Sequence, residues 1–264
     1  MHDERRQGLM GTIAITGAAG GIGSALRQRL EAVDHTVIGI DVRDAEVLAD
    51  LATAEGRGAM VAAVTEQSGG ALDGVVAAAG ITHDDGALVT SINYFGAVAT
   101  LTGLRPLLAG RPNASAVAVS SNSSTTQPGL SLDHVAACIS GDEAAARAAA
   151  GHGVGAYGSS KLALARWVRQ QAVTDEWIGA GIRLNAIAPG FIDTPMTVDS
   201  RDFILSLGEI YPIPVGRAGE AAEVAGLLAY LLSEDAAFFC GSVITMDGGT
   251  DAALRADHWP APLR

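Results

Sequence analysis

The feature that most restricts the fold of this chain is a glycine-rich turn between an apolar run and a helical pattern near its start. Gly11–Thr16 (GTIAIT) reads as a short strand, since a brief run of apolar and β-branched residues suits a buried strand. It passes directly into Gly17-Ala18-Ala19-Gly20-Gly21-Ile22-Gly23, and a helical stretch follows to about Leu30. Glycines at such a turn let the backbone bend tightly and approach a pyrophosphate, and the helix N-terminus supplies free N–H donors and partial positive charge. Glycine spacing alone leaves an ordinary turn as an equal alternative.

The alternation continues along the chain. Thr36–Asp41 reads as a second strand, Val47–Asp50 as a short third and Ala54–Gln67 as a helix. Gly74–Ala79 is a buried strand, Ala87–Leu108 a helix and Ala114–Ser121 another strand. Tyr157–Trp177 reads as a helix, Ile182–Ile187 as a strand, Glu220–Leu232 as a helix and Ser242–Met246 as the last strand. This order predicts an α/β, doubly wound, mainly parallel sheet with helices on both faces. Ligands of such sheets bind outside the carboxyl ends of the strands. Between Ser121 and Tyr157 lie 35 residues rich in alanine. Ser131–Ile139 predicts a short helix, and Ser140-Gly141-Asp142-Glu143 predicts a capping box before an alanine-rich one. Residues 122–156 are therefore expected to form a helical insertion before the Tyr157 helix. The 264 residues suit one domain over 10–264, with the polar residues 1–9 as an N-terminal extension.

Composition excludes several classes. A formal net charge of −12 disfavours nucleic acid and anionic membrane as partners. Cys138 and Cys240 form no framework, and the N-terminus carries no signal-like stretch, so a reducing, cytoplasmic location is expected. No apolar run reads as long enough to span a bilayer. The 6 histidines are scattered, His83 is expected on a solvated loop, and no catalytic metal is expected.

Asp41 ends the second strand, 18 residues beyond Gly23. A carboxylate there accepts both hydroxyls of an adenosine ribose and repels a 2′-phosphate; otherwise it is a plain strand-end residue. Arg43 stands close enough to offset part of that repulsion, so NAD is the expected cofactor and NADP the alternative. Of 17 basic residues, 16 are arginine and one is Lys161. It follows Tyr157 by one helical turn, so the two share a helix face. A solitary ammonium in a chain that otherwise uses arginine points to a task a planar guanidinium does not perform. A tyrosine with an ordinary pKa near 10 needs about 4 kcal/mol of phenolate stabilisation to work as an acid–base near pH 7. A neighbouring ammonium in a partly dry site, with a cationic nicotinamide, supplies energy of that order. An ordinary surface pair is the competing reading.

Together, Thr16-Gly17-x-x-x-Gly21-Ile22-Gly23, Asn93, the Ser120-Ser121 strand end, Tyr157-x-x-x-Lys161, and Pro189-Gly190 followed by Thr194 resemble the short-chain dehydrogenase/reductase family over nearly all of Gly11–Gly249. The resemblance implies a Rossmann-like domain and NAD-linked hydride transfer between an alcohol and a ketone. It implies that Tyr157 moves the proton at the substrate oxygen and that Lys161 binds the nicotinamide ribose and lowers the tyrosine's pKa. It gives Ser121 the polarising of the substrate oxygen and Asn93 the holding of a water that links the lysine to solvent. It implies cofactor contacts at Gly17, Gly21, Ile22, Gly23 and Asp41, with Asp50 and Leu51 at the adenine. Ala79, Gly80, Pro189, Gly190, Ile192 and Thr194 are the further contacts, Thr194 meeting the carboxamide. Ser121 is selected because the family's active serine is usually the second of the pair; Ser120, Ser123 and Ser124 are neighbours, and a slip of one residue reverses the face. Asn93 has the alternative of an amide that satisfies its own surroundings.

Two departures stand out. The family often carries Asn-Asn-Ala-Gly where this chain has Ala77-Ala78-Ala79-Gly80, and the insertion lengthens the usual serine-to-tyrosine spacing. With Asp41–Gly56, Asn93-Tyr94-Phe95-Gly96 and Arg183–Gly190, the insertion resembles the bacterial 3α-hydroxysteroid dehydrogenase/carbonyl reductase subgroup. That implies a hydroxysteroid/ketosteroid pair with tolerance for other ketones, and a homodimer or homotetramer. The insertion precedes a helix of the family's common dimer face, which points to a dimer near the last strand. Residues 195–216, with Met196, Val198, Phe203, Ile204, Leu207, Ile210 and Tyr211, are expected to cover the cleft as an apolar lid. Packing on the core or a partner subunit is an equal reading of them. The tail Asp251–Arg264, with Trp259, closes the cleft or serves as an interface arm. A non-catalytic NAD-sensing regulator is the competing class of function.

Overall fold

The computed structural model describes residues 11–258; the extension 1–9 and Trp259 of the tail lie outside the described residues. Strands follow in chain order as β1 (Thr12–Thr16), β2 (Thr36–Asp41), β3 (Val47–Leu48), β4 (Gly74–Ala77), β5 (Ser115–Val119), β6 (Arg183–Pro189), β7 (Ile192–Asp193), β8 (Gly219–Glu220) and β9 (Val243–Met246). Seven of them form one parallel sheet in the order β3-β2-β1-β4-β5-β6-β9. Chain order reverses between β1 and β4, which opens a crevice at their carboxyl ends.

Successive side chains of a strand point to opposite faces, and both faces here are apolar. One carries Ala14, Ile38, Ile40, Val75, Ala77, Ala116, Ala118 and Leu184 beneath the helices Ala54–Gln67, Gly86–Leu108 and Gly153–Gln171. The other carries Ile13, Ile15, Val37, Val76, Val117 and Ile187 beneath Gly21–Glu31 and Ala221–Leu232. A sheet covered on both sides explains why its strands read as continuous apolar runs.

Four expectations are corrected. The helix expected over Tyr157–Trp177 spans Gly153–Gln171. It starts a turn earlier because the Gly153 N–H donates to the Asp84 carbonyl at 3.0 Å, with the chain so close that a Cβ on Gly153 would lie 1.6 Å from the His83 oxygen. It ends at Gln171, and the chain then turns back to bury Trp177 edge-on against Trp167. The helix Gly86–Leu108 changes to π-helical register over Ser91–Gly96. At 23 residues it is apolar and long enough to cross a bilayer by length and composition, contrary to the sequence reading, yet it packs as a core helix against the sheet and the insertion. The expected capping box at Ser140 is also absent. Ser140 closes the helix Leu132–Ser140, Gly141 turns the chain at φ +80°, and Asp142 caps Glu143–Ala149 by accepting the Ala145 N–H at 2.9 Å.

The insertion docks on the helices that carry the site. Arg57 pairs with Glu143 at 2.6 Å, Arg147 donates to the Ser91 hydroxyl at 2.5 Å, and His134 lies 2.9 Å from the Thr90 hydroxyl. The 195–216 segment forms the short helix Arg201–Ser206 between the 3-10 turns Val198–Ser200 and Gly208–Ile210, and lies between β7 and β8, which pair in parallel. Met196, Val198, Phe203, Leu205 and Ile210 are exposed on it.

Candidate active site

At the end of β1, Gly17 takes φ +73° and its N–H donates to the Ile40 carbonyl at 2.8 Å. A Cβ there would lie 2.9 Å from the Ala79 backbone, so the turn closes on the loop after β4 only with glycine. Gly23 meets the same turn, since its Cβ would fall 2.1 Å from the Gly17 oxygen, and Gly21 faces Thr194. The Thr16 hydroxyl accepts the Ala78 and Ala79 N–H groups, each at 3.2 Å. It thereby joins β1 to β4 at the place where the chain lacks the family's asparagine. The N-cap of Gly21–Glu31 is Gly20, with no side-chain cap, so first-turn N–H groups face the crevice without an internal acceptor. These are the conditions of a diphosphate seat.

Asp41 stands beside it. Its Oδ2 accepts the Ala19 N–H at 3.1 Å and its Oδ1 the Val42 N–H at 2.7 Å. Each oxygen keeps a lone pair for a diol. Arg43 is exposed. Asp50 is exposed and accepts the Ala52 N–H at 2.9 Å, while Leu51 is buried beneath Gly96 and offers little side-chain surface to an adenine.

At the ends of β5 and β6 the remaining residues meet. Ile22, Gly80, Ser121, Tyr157, Lys161, Pro189, Gly190, Ile192 and Thr194 line one cleft, joined by Met196 and Thr197. The strand end separates the serines. Ser120 is buried and donates to the Lys161 carbonyl at 2.8 Å, whereas the Ser121 hydroxyl faces the Tyr157 phenol. Burial raises the Tyr157 pKa above 10, and the Ser121 hydroxyl pulls it the other way. Lys161 is 4 % exposed, and its Nζ donates to the Val119 carbonyl at 2.8 Å and lies 5.8 Å from the centre of the Tyr157 ring. Burial pushes its pKa down to about 8. Asn93 is fully buried in the π-helical turn; its Oδ1 accepts the Ile81 N–H at 2.8 Å and its Nδ2 donates to the Ile81 carbonyl at 3.0 Å. Gly80 lies between, since a Cβ there would sit 3.3 Å from both Asn93 Oδ1 and Lys161 Nζ.

Comparison with known proteins decides the family. Residues 136–251 match a family model described as enoyl-(acyl carrier protein) reductase. Over 259 residues the chain is 40% identical to the 3-alpha-hydroxysteroid dehydrogenase/carbonyl reductase of Comamonas testosteroni, covering 93% of this chain and 98% of that one. The chain belongs to the short-chain dehydrogenase/reductase family. A tropinone reductase homologue of Arabidopsis thaliana is 28% identical over 93% of this chain and 81% of its own. Among solved structures, the 3-alpha-hydroxysteroid dehydrogenase of Pseudomonas sp. B-0831 complexed with NADH superposes with a TM-score of 0.87 at 42% identity, covering 94% of this chain and all of that one.

As a short-chain dehydrogenase/reductase the chain is an oxidoreductase, and next to Ser121 of its cleft two residues meet that the sequence did not single out for the site. Asn122 is 2 % exposed directly after Ser121, and its amide Nδ2 lies 2.9 Å from the Tyr211 hydroxyl. Tyr211 was visible only as one apolar residue of the expected lid, and a separation of 89 positions leaves no local signal of their meeting.

Proposed function

We propose that this chain is an NAD(H)-dependent oxidoreductase that interconverts a secondary alcohol and a ketone, the pair being a 3α-hydroxysteroid and its 3-ketosteroid, with Tyr157 as general acid–base. The observation that carries this reading is the meeting of three groups in one cleft: the Tyr157 phenol, the Ser121 hydroxyl and a buried lysine without a carboxylate partner among the described residues. The Comamonas and Pseudomonas relatives, the latter solved with NADH, support the substrate class and cofactor. The uncapped helix start, the Gly17 cradle and the Asp41 carboxylate fit a dinucleotide without a 2′-phosphate. Bound NAD(H) supplies the two-electron donor or acceptor.

The chain's own residues handle the proton. Burial keeps the Tyr157 phenol protonated near neutral pH, the form needed to protonate a ketone oxygen during reduction. Ser121 donates to that same oxygen and spreads its developing charge. Lys161, with its pKa about 8, is still mainly cationic at pH 7 and favours the phenolate as the proton leaves. Asn93 spends both amide atoms on Ile81, so its share in a water relay from Lys161 falls to the main chain of the π-helical turn. The exposed apolar residues of the lid suit a large apolar substrate and exclude water once closed over it.

The second reading is a carbonyl reductase for a non-steroid ketone, which the other half of the Comamonas relative's name favours. The test is the initial rate of nicotinamide reduction with a 3α-hydroxysteroid, comparing NAD with NADP and wild type with Tyr157→Phe. Turnover with NAD is expected to fall by about 10²–10⁴ in the variant while NAD affinity is kept. Activity confined to non-steroid ketones moves the assignment to the second reading. Tight NAD binding with no turnover on any alcohol or ketone would make the chain a regulator.

A further inference from the structure

We propose that Tyr211 is a positioning residue that latches the 195–216 lid onto Asn122, beside Ser121, and so sets the affinity of the cleft for its carbonyl or alcohol substrate. The kinetic half of this inference rests on the oxidoreductase reading above; the latch itself does not.

The lid has few polar attachments to the rest of the protein. At its near end the Thr197 hydroxyl donates to the Ile192 carbonyl at 2.6 Å and accepts the Thr194 N–H at 3.0 Å. In its middle Arg201 pairs with Asp193 at 3.2 Å, with the two side chains 49% and 44% exposed. Such a pair contributes little in water. The Ser200 and Ser206 hydroxyls turn inward to the Thr197 and Phe203 carbonyls of the segment itself. The helix Arg201–Ser206 packs chiefly on the adjoining turn Val198–Ser200. The apolar side chains that would hold the segment down, Phe203, Leu205 and Ile210, point largely to solvent.

Tyr211 differs from these. It is partly buried, and its hydroxyl lies 2.9 Å from Asn122 Nδ2 and 3.1 Å from Asn122 Oδ1. Asn122 is a fixed post. Its N–H donates to the Pro189 carbonyl of β6 at 2.8 Å, and its carbonyl accepts the Thr125 and Thr126 N–H groups, each at 2.9 Å. Its Nδ2 also lies 3.3 Å from Asp247 Oδ2, and that carboxylate is held by the Gly249 N–H at 3.0 Å and the Asp251 N–H at 2.7 Å. The ends of β5, β6 and β9 therefore converge on one amide, and the far end of the lid ties to it. Burial keeps the Tyr211 phenol protonated, so the latch persists across the working pH range. Breaking it frees the lid between Arg201 and the Val215 N–H bond to the Gly248 carbonyl, at 3.1 Å. Because Asn122 is joined by one peptide bond to Ser121, a closed lid and an oriented Ser121 are expected to go together.

The experiment is hydrogen–deuterium exchange over residues 198–210 of the full chain without ligand, for wild type, Tyr211→Phe, Asn122→Ala and the double variant. Tyr211→Phe removes one hydroxyl and keeps the ring, so it carries the test even where Asn122→Ala disturbs folding. Losing the bond is expected to speed exchange in the lid about fivefold, equally in each single variant and no further in the double. In parallel, Tyr211→Phe is expected to raise KM for the 3α-hydroxysteroid about fivefold with a smaller change in kcat, and to leave NAD affinity unchanged. Unchanged lid exchange in Tyr211→Phe, additive effects in the double variant, or an unmoved KM would each overturn the proposal. Wild-type protein that turns over no alcohol or ketone would sink the oxidoreductase reading instead, and the exchange data would still decide the latch.

Discussion

Lys161 shows at the residue scale how function and stability oppose each other. Its ammonium is buried with one carbonyl as hydrogen-bond partner, and burial lowers its pKa from 10.5 to about 8. A shift of that size corresponds to about 3 kcal/mol of penalty on the charged form. The sign follows from proton counting. Below pH 8 both states carry the proton and the penalty is complete. Between pH 8 and 10.5 the folded chain has released a proton that the unfolded chain keeps, so stability rises with pH. Lys161→Met removes this slope together with the ammonium that the proposed mechanism uses. The variant also orphans the Val119 carbonyl, which costs about 1–3 kcal/mol, so the slope and not the offset is diagnostic. Melting temperatures of wild type and Lys161→Met are expected to move relative to each other between pH 7 and 9.5, in favour of wild type as pH rises. The range stops short of pH 10, where the unfolded chain ionises tyrosines that the fold keeps protonated, among them Tyr157 and Tyr211, and their opposite contribution offsets that of Lys161. A constant difference across the range would show that Lys161 is not destabilised by its site.

At the scale of elements, local pattern fixed what lies within one run of sequence. β2 and the helix Ala54–Gln67 have the predicted limits; β-branched residues mark the strand locally, and the structure adds a Thr53 cap, whose hydroxyl accepts the Gly56 N–H at 3.0 Å. The glycine turn, Tyr157 and Lys161 were legible for the same reason, each belonging to one turn, whereas Ser121 was chosen among neighbouring serines through the family resemblance and not through a local signal. What was not legible depends on distant backbone. The early start of Gly153–Gln171 needs the loop at His83, the π-helical register around Asn93 depends on packing, and the Asn122–Tyr211 contact joins separate segments. The insertion adds a prediction of its own. The Thr90 hydroxyl donates to the Gly86 carbonyl at 2.7 Å, so His134 Nε2 must carry the proton it shares with Thr90, and Nδ1 is left buried without a partner. A second proton on Nδ1 would have no acceptor, and burial accordingly lowers the His134 pKa from 6.5. The unfolded chain takes up that proton below about pH 6.5 and the folded chain does not, so stability falls as pH drops through this range. His134→Gln, whose amide can donate to Thr90, is expected to flatten the loss of melting temperature between pH 7.5 and 5.5. Parallel curves for variant and wild type would place the acid-sensitive group elsewhere.

At the scale of the molecule, the doubly wound sheet puts every candidate residue on the carboxyl side of its strands, and the two halves of the site come from opposite sides of the switch between β1 and β4. A ligand that spans the crevice ties both halves together and binds only the folded chain. Mass action then gives about 2.7 kcal/mol at a ligand concentration 100 times Kd. For a domain of this size each kcal/mol is worth about 2–4 °C, so saturating NADH is expected to raise the melting temperature by roughly 5–10 °C. NADPH at the same concentration is expected to raise it far less, because its 2′-phosphate would meet the Asp41 carboxylate, whose oxygens are fixed by Ala19 and Val42. The net charge of −12 adds a repulsive background for the more highly charged nucleotide. Asp41→Asn is expected to narrow the gap between the two nucleotides without changing the shift that excess substrate alone produces. Equal shifts with NADH and NADPH in wild type would move the choice of cofactor away from Asp41 and onto Arg43, the exposed cation two residues further along.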